Sequence, residues 1–173
     1  MTRAPYRITV LDASVHKRGE FSCGSAALDR YLREQVSQDI RRRVAACFVA
    51  LTDDLQIAGY YTLAAASVPL LDLPDALRRK LPRYPSIPAV RMGRLAVDAA
   101  HRGKGLGAAL LIDALRRAAA AEIPAVALLV DAKDDQAAEF YRHHGFIDLA
   151  STRTLFLPLA TVAQGGGLAH ASR

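Results

Sequence analysis

The sequence predicts an α/β fold in which helices cover both faces of one sheet, and three observations predict it. Residues 125–130 (AVALLV) are apolar without alternation, the pattern of a strand covered on both sides. Residues 25–42 place Leu28, Tyr31, Leu32, Val36 and Ile40 at three- and four-residue steps, the stripe of an amphipathic helix. Arg30, Arg33, Glu34, Gln35 and Gln38 fall on the other side. A strand at 89–98 leads into Arg102-Gly103-Lys104-Gly105-Leu106-Gly107 and from there into a helix at 105–121, a strand–glycine loop–helix unit.

The remaining elements follow in order. Residues 6–11 alternate enough for a first strand, and the stretch from Gly19 to Gly24 breaks the pattern before the helix at 25–42. Residues 45–51 and 56–68 read as two strands joined at Asp53-Asp54, a pair suited to a hairpin turn. A connection with Pro69, Pro74, Pro82, Pro85 and Pro88 follows, and a helical patch at 75–80 marks it as a structured excursion rather than a linker. Beyond the glycine loop and its helix come a strand at 125–131, a helix at 134–144 and a strand at 153–158. From Gly165-Gly166-Gly167 onward the chain has the composition of a flexible tail, so one domain over 1–160 and a tail over 161–173 are expected.

With 173 residues, 51% of them hydrophobic, the chain is long enough to bury one proper core. It has no run of about 18 apolar residues and no signal-peptide pattern at its start, so a cytoplasmic protein without membrane spans is expected. Two cysteines, Cys23 and Cys47, are too few for a disulfide framework and lack metal-ligand neighbours. They are expected to be reduced and partly buried, with no metal site. The balance of 23 Lys+Arg against 17 Asp+Glu, a net charge of +6, suits a polyanionic partner such as CoA or a nucleic acid, and equally a merely solvated basic surface.

The glycine loop puts unpaired backbone N–H groups at a helix N-terminus, where the helix dipole favours an anion, and a phosphate is the natural occupant. Gly103, Gly105 and Gly107 are expected to let the main chain take positive φ and approach the ligand, with Arg102 and Lys104 adding charge. A P-loop would require Gly-Lys-Ser/Thr, but Lys104 is followed by Gly105. A dinucleotide fingerprint would space its glycines by two and then three, whereas here the steps are two and two, although Asp131 sits about where a ribose-binding acid would fall.

The pattern Arg102-x-x-Gly105-x-Gly107, after the strand Arg94-Leu95-Ala96-Val97-Asp98, resembles the acetyl-CoA motif of the GNAT acetyltransferases. The downstream Asp134-x-x-Ala137-x-x-Phe140-Tyr141-x-x-x-Gly145-Phe146 is similar to that family's second signature, with Asp134 where asparagine is commoner. The resemblance implies a mixed, mostly antiparallel sheet that splays at the cofactor strand. There Leu95, Ala96 and Val97 would offer main chain to the pantetheine arm, and the Val97 amide would donate to the thioester oxygen. Asp134 and Phe140 would lie at the cofactor site, with capping of its own helix an alternative for Asp134. Tyr141 would be the general acid for the departing thiolate, since a phenol of pKa about 10 stays protonated at neutral pH; a packing role is its alternative. His143 and His144 read as helix-dipole partners or surface residues.

The acceptor is harder to read. A lysine acceptor would need a dedicated base, whereas an α-amine of pKa about 7.7–8.0 is already substantially neutral. Asp98 is the only carboxylate visible beside the cofactor strand, which tilts the reading towards an α-amine. More closely, Phe21-x-Cys23-Gly24-x-x-x-Leu28-Asp29-x-Tyr31-Leu32, Gln38-Asp39 and Ile57-Ala58-Gly59-Tyr60-Tyr61-Thr62-Leu63 resemble the acetyltransferase toxins of bacterial toxin–antitoxin operons, over roughly residues 6–158. That resemblance implies acetylation of the α-amine of aminoacyl-tRNA, a block on translation, a homodimer, and a ribbon-helix-helix antitoxin that can bring operator DNA. Arg41, Arg42, Arg43, Arg78, Arg79, Lys80, Arg91 and Arg94 would be the candidate tRNA contacts, although no aromatic-rich stacking platform is evident. A GNAT enzyme acting on a small amine or a protein, and a non-catalytic module that binds DNA with its antitoxin, stay open beside it.

Overall fold

The computed structural model describes residues 5–150 and 152–163. Seven strands form one sheet in the order β1-β2-β3-β4-β5-β7-β6: β1 Arg7–Val10, β2 Ala46–Leu51, β3 Ile57–Pro69, β4 Ser86–Val97, β5 Ala127–Asp131, β6 Ile147–Asp148 and β7 Thr154–Pro158. The β1–β2, β2–β3, β5–β7 and β6–β7 pairs are antiparallel, and β4–β5 is parallel. This is the mixed, mostly antiparallel sheet that the resemblance implied. The helices are α1 Ala26–Arg30, α2 Val36–Arg41, α3 Asp75–Arg78, α4 Leu106–Ala120, α5 Asp135–His143 and α6 Leu159–Ala163.

The described residues pack as two compact units, one of the residues up to Ala64 with Gly93–Ala114, the other of Ala65–Met92 with the residues from Leu115. In the first, Ser25 caps α1 by accepting the Leu28 N–H, as expected for a serine ahead of a helical stripe. The predicted helix is nevertheless not uniform, because a π-helical turn at Tyr31–Gln35 separates α1 from α2. That wider turn brings Tyr31, Leu32 and Val36 all into the core, where they pack with Phe21, Val49, Leu51 and Tyr60. Between β2 and β3 the register shifts: Ala50 pairs with Gly59 but Leu51 with Ile57, so Ala58 bulges, and its carbonyl accepts the Asp98 N–H at 2.8 Å.

In the second unit, Ala127, Leu128, Leu129 and Val130 are all buried, as the unbroken apolar run requires. Ala127 and Leu129 belong to a core with Val68, Ile87, Leu149 and Phe156. Two elements were not legible in the sequence. The two-residue β6 is too short to show a period, and α6 takes up residues 161–163 of the expected tail because Leu159 is buried and its N–H donates to the Val126 carbonyl. The rest of that tail, with Gly165-Gly166-Gly167, lies outside the described residues.

Candidate functional site

In the first unit, β4 ends at Val97, a 3-10 turn covers Ala99–His101, and residues 102–105 lead into α4 at Leu106. Gly103 and Gly105 both have φ +75°, a backbone conformation that side-chain-bearing residues rarely adopt, and a Cβ on either would meet nothing within 4 Å. Gly107 differs from expectation. It lies inside α4 and takes no positive φ, because the helix begins one residue before it. Arg102, Gly103, Lys104 and Gly105 are exposed while Leu106 is buried, so the loop offers main-chain N–H groups at the start of a 15-residue helix with open space beside them. These features fit a phosphate-bearing ligand such as CoA.

Gly59 stands where the helix after the loop approaches the end of β4. A Cβ there would lie 2.8 Å from Leu110 Cδ1, 3.0 Å from the Ala96 carbonyl oxygen and 3.3 Å from Leu106 Cδ2. Strand β3, the end of β4 and the first turns of α4 therefore meet so closely that a side chain at position 59 would require them to shift. Leu95 and Val97 are half-buried and Ala96 is buried. Asp98 is fully engaged: its carboxylate accepts the Ala100 N–H at 3.0 Å, capping the 3-10 turn, and the Ser22 N–H at 2.9 Å. The one carboxylate that the sequence places beside the end of β4 thus holds backbone rather than standing ready as a base.

In the second unit the signature 134–146 becomes a capped helix. Asp134 accepts the Ala137 N–H at 2.7 Å and is the N-cap of α5. At the other end Gly145 turns the chain at φ +92°, so that Phe146 donates its N–H to the Tyr141 carbonyl and packs its ring 5.6 Å from that of Tyr141. Phe140 is half-buried, with its ring 5.3 Å from Tyr141 and 4.7 Å from His144. Tyr141 itself is only 7% exposed. Burial, helped by the negative charge of Asp131, pushes its phenol up to about 12. His143 is exposed, and His144 Nδ1 is 2.8 Å from the Phe140 carbonyl, so both are accounted for by the helix end.

The candidate phosphate contacts divide. Arg41, Arg42 and Arg43 are exposed at the end of α2, and Arg79 and Lys80 are exposed after α3. Arg78 is paired with Asp75 within α3, and Arg91 with Asp131 across the β4–β5 pair. Arg94 stacks its guanidinium 3.5 Å over the Tyr31 ring, whose hydroxyl donates to Asp39 at 2.8 Å. Sequence reading missed three further contacts. Asp29 is buried and accepts the Cys23 N–H at 2.8 Å, Arg102 donates to the Cys23 carbonyl, and Asp113 accepts the Tyr61 hydroxyl at 2.6 Å. Asp29 was findable, since it lies three residues before Leu32 and seven before Val36, on the apolar stripe itself. Cys23 and Cys47 are free and buried, and burial raises both thiols, Cys47 to about 12. Among the described residues no helix is long and apolar enough to cross a membrane, and no three His, Cys, Asp or Glu side chains cluster as a metal site.

Comparison with known proteins adds to this geometry. A family model described as an acetyltransferase (GNAT) domain matches residues 43–148. A tRNA-acetylating toxin of Mycobacterium tuberculosis is 38% identical over 158 residues, covering 90% of this chain and 90% of that protein. Among solved structures, AtaT complexed with acetyl-methionyl-tRNAfMet matches with a TM-score of 0.86 at 29% identity, over 92% of this chain and 98% of that one. A tyrosine-to-phenylalanine mutant of the toxin AtaT, bound to the C-terminus of the antitoxin AtaR and acetyl-CoA, matches with a TM-score of 0.79 at 25% identity, over 93% and 98%.

Proposed function

Since the chain belongs to the GNAT acetyltransferases, we propose that it transfers acetyl from acetyl-CoA to the α-amine of aminoacyl-tRNA, as a toxin that blocks translation and is neutralised by an antitoxin. The observation that carries the acceptor is the likeness, over nearly the whole of both chains, to the mycobacterial tRNA-acetylating toxin. The net charge of +6 and the exposed Arg41, Arg42, Arg43, Arg79 and Lys80 support a polyanionic substrate. By the same reading the protein works in the cytoplasm, as a homodimer, with a ribbon-helix-helix antitoxin.

Acetyl-CoA supplies an acyl group already activated as a thioester. The N–H groups of residues 103–107 bind its phosphates, with Arg102 and Lys104 adding positive charge. The main chain of Leu95, Ala96 and Val97 aligns the pantetheine arm, and the Val97 N–H faces the carbonyl oxygen where negative charge grows. The unprotonated acceptor amine forms the new N–C bond as the C–S bond breaks. Tyr141 passes its phenol proton to the departing sulfur, the amine loses a proton to solvent, and the phenolate takes one back from solvent. Asp134 and Phe140 act here by fixing α5 and the Tyr141 ring.

Incubating the protein with acetyl-CoA and a mixed pool of charged tRNA, followed by nuclease digestion and mass spectrometry, should yield N-acetyl-aminoacyl-adenosine. Tyr141→Phe should lower kcat by about 10²- to 10⁴-fold. If no charged tRNA is acetylated while a free or protein amine is, the acceptor assignment fails and the acetyltransferase chemistry stands.

A further inference from the structure

The motif Phe21-x-Cys23-Gly24-x-x-x-Leu28-Asp29 has no part in the chemistry above, yet its polar contacts converge on the donor loop. Three hydrogen bonds tie residues 22–23 to the segment that enters the loop. The Ser22 N–H donates to Asp98 Oδ1 at 2.9 Å, the Ala99 N–H donates to the Ser22 carbonyl at 2.8 Å, and the Arg102 guanidinium donates to the Cys23 carbonyl. Behind Cys23 stands Asp29, only 7% exposed, whose Oδ1 accepts the Cys23 N–H at 2.8 Å. Beside it Gly24 has φ +89°, and a Cβ there would lie 2.9 Å from Arg102 Nη2, in the space the guanidinium fills. A side chain at this position would be strained by its backbone and would also displace the arginine.

We propose that residues 22–24, fixed from behind by Asp29, form a strap that positions Arg102 and the entry to the loop for acetyl-CoA. Asp29 and Gly24 are thereby positioning residues for the acetyl donor. This rests on the reading that loop 102–107 holds acetyl-CoA. A guanidinium has five N–H donors in a fixed fork, so anchoring one on a backbone carbonyl leaves others for phosphate oxygens while removing the rotamer freedom that binding would otherwise have to freeze. Asp29 acts one step further back. A buried carboxylate on the apolar stripe of α1 is costly unless it holds something, and what it holds is the residue whose carbonyl anchors Arg102. Asp98 completes the arrangement by fastening the strap to the 3-10 turn that it also caps.

The test is calorimetry with acetyl-CoA on the full-length protein and on Gly24→Ala, Asp29→Ala and Asp29→Asn, together with KM for the charged-tRNA acceptor. Gly24→Ala and Asp29→Ala should each raise the acetyl-CoA Kd about tenfold with the acceptor KM unchanged. Asp29→Asn, which keeps an oxygen to accept the Cys23 N–H, should recover to within about threefold of the parent. A purely structural role would lower Tm in these variants without separating donor affinity from acceptor KM. Should Asp29→Ala fail to fold, Gly24→Ala decides alone. Parent-like acetyl-CoA binding by folded Gly24→Ala overturns the strap, as does a rise in both constants together. A parent protein that does not bind acetyl-CoA removes the loop assignment itself and the strap with it.

Discussion

Tyr141 keeps its phenol proton far into the alkaline range, because burial and the Asp131 charge raise it to about 12 from an ordinary 10.0. In the proposed role of general acid it is then fully protonated at any pH the acceptor tolerates, so its own ionisation should not limit the rate below about pH 11. The rising limb of kcat/KM should therefore report the acceptor amine alone, with a break near pH 7.7–8 for an α-amine, where a lysine would drive the rate upward towards about 10.4. A pH–rate profile from 6 to 9 at subsaturating acceptor and short reaction times separates the two, and a profile still climbing steeply at pH 9 would speak against an α-amine. Gly59 makes a different demand. The Ala96 carbonyl oxygen, 3.0 Å from where a Cβ would stand, is backbone and cannot swing aside. Gly59→Ala should cost about 1–3 kcal/mol in urea unfolding and should raise the acetyl-CoA Kd, because relief of the clash must shift β4 or the first turn of α4.

At the scale of elements, one recognisable signature becomes a helix N-terminus and the other a whole helix. The loop signature sits at the N-terminus of α4, where Gly103 and Gly105 are needed for their φ and Gly107 is simply helical. The second signature is a whole helix with its stop signals, from Asp134 at the N-cap to Gly145 at the turn and Phe146 folded back onto Tyr141. Asp134→Ala should lower stability by about 1 kcal/mol in denaturant unfolding, and Asp134→Asn should be close to neutral, since the amide oxygen can accept the same Ala137 N–H. If Asp134→Asn instead abolished acetyl transfer at unchanged stability, the carboxylate would have a part in the chemistry that the cap does not explain. The π-helical turn at Tyr31–Gln35 lay outside the reach of a 3.6-residue period, which continues smoothly from Leu28 to Ile40. It forms where Tyr31 must serve at once as a core ring, as donor to Asp39 and as the face beneath Arg94.

Across the described residues, buried acids share one direction of linkage. Burial raises Tyr31 and Tyr141 to about 12 from 10.0, and Cys47 to about 12 from 9.0. Each folded value lies above its unfolded value, so their contribution to stability is complete below about pH 9 and is lost as pH rises through about 12. The urea midpoint should accordingly fall progressively from pH 9 upward, and Cys47→Ser or Cys47→Ala should remove part of the earliest fall, the rest of which belongs to Cys23. By itself the sequence determined the fold class, the order and most of the boundaries of the longer elements, and where the glycine loop and the tyrosine of the second signature stand along the chain. Those features rest on local periodicity, on glycines with a local backbone demand, and on motifs contiguous along the chain. Tertiary structure alone decided that Asp98 is occupied by backbone, that Arg91 and Arg94 already have partners, and that Cys23, 79 residues away in sequence, and its neighbour Gly24 meet Arg102. Such contacts join residues far apart in the chain, and no local pattern records which distant carbonyl or ring an arginine will find.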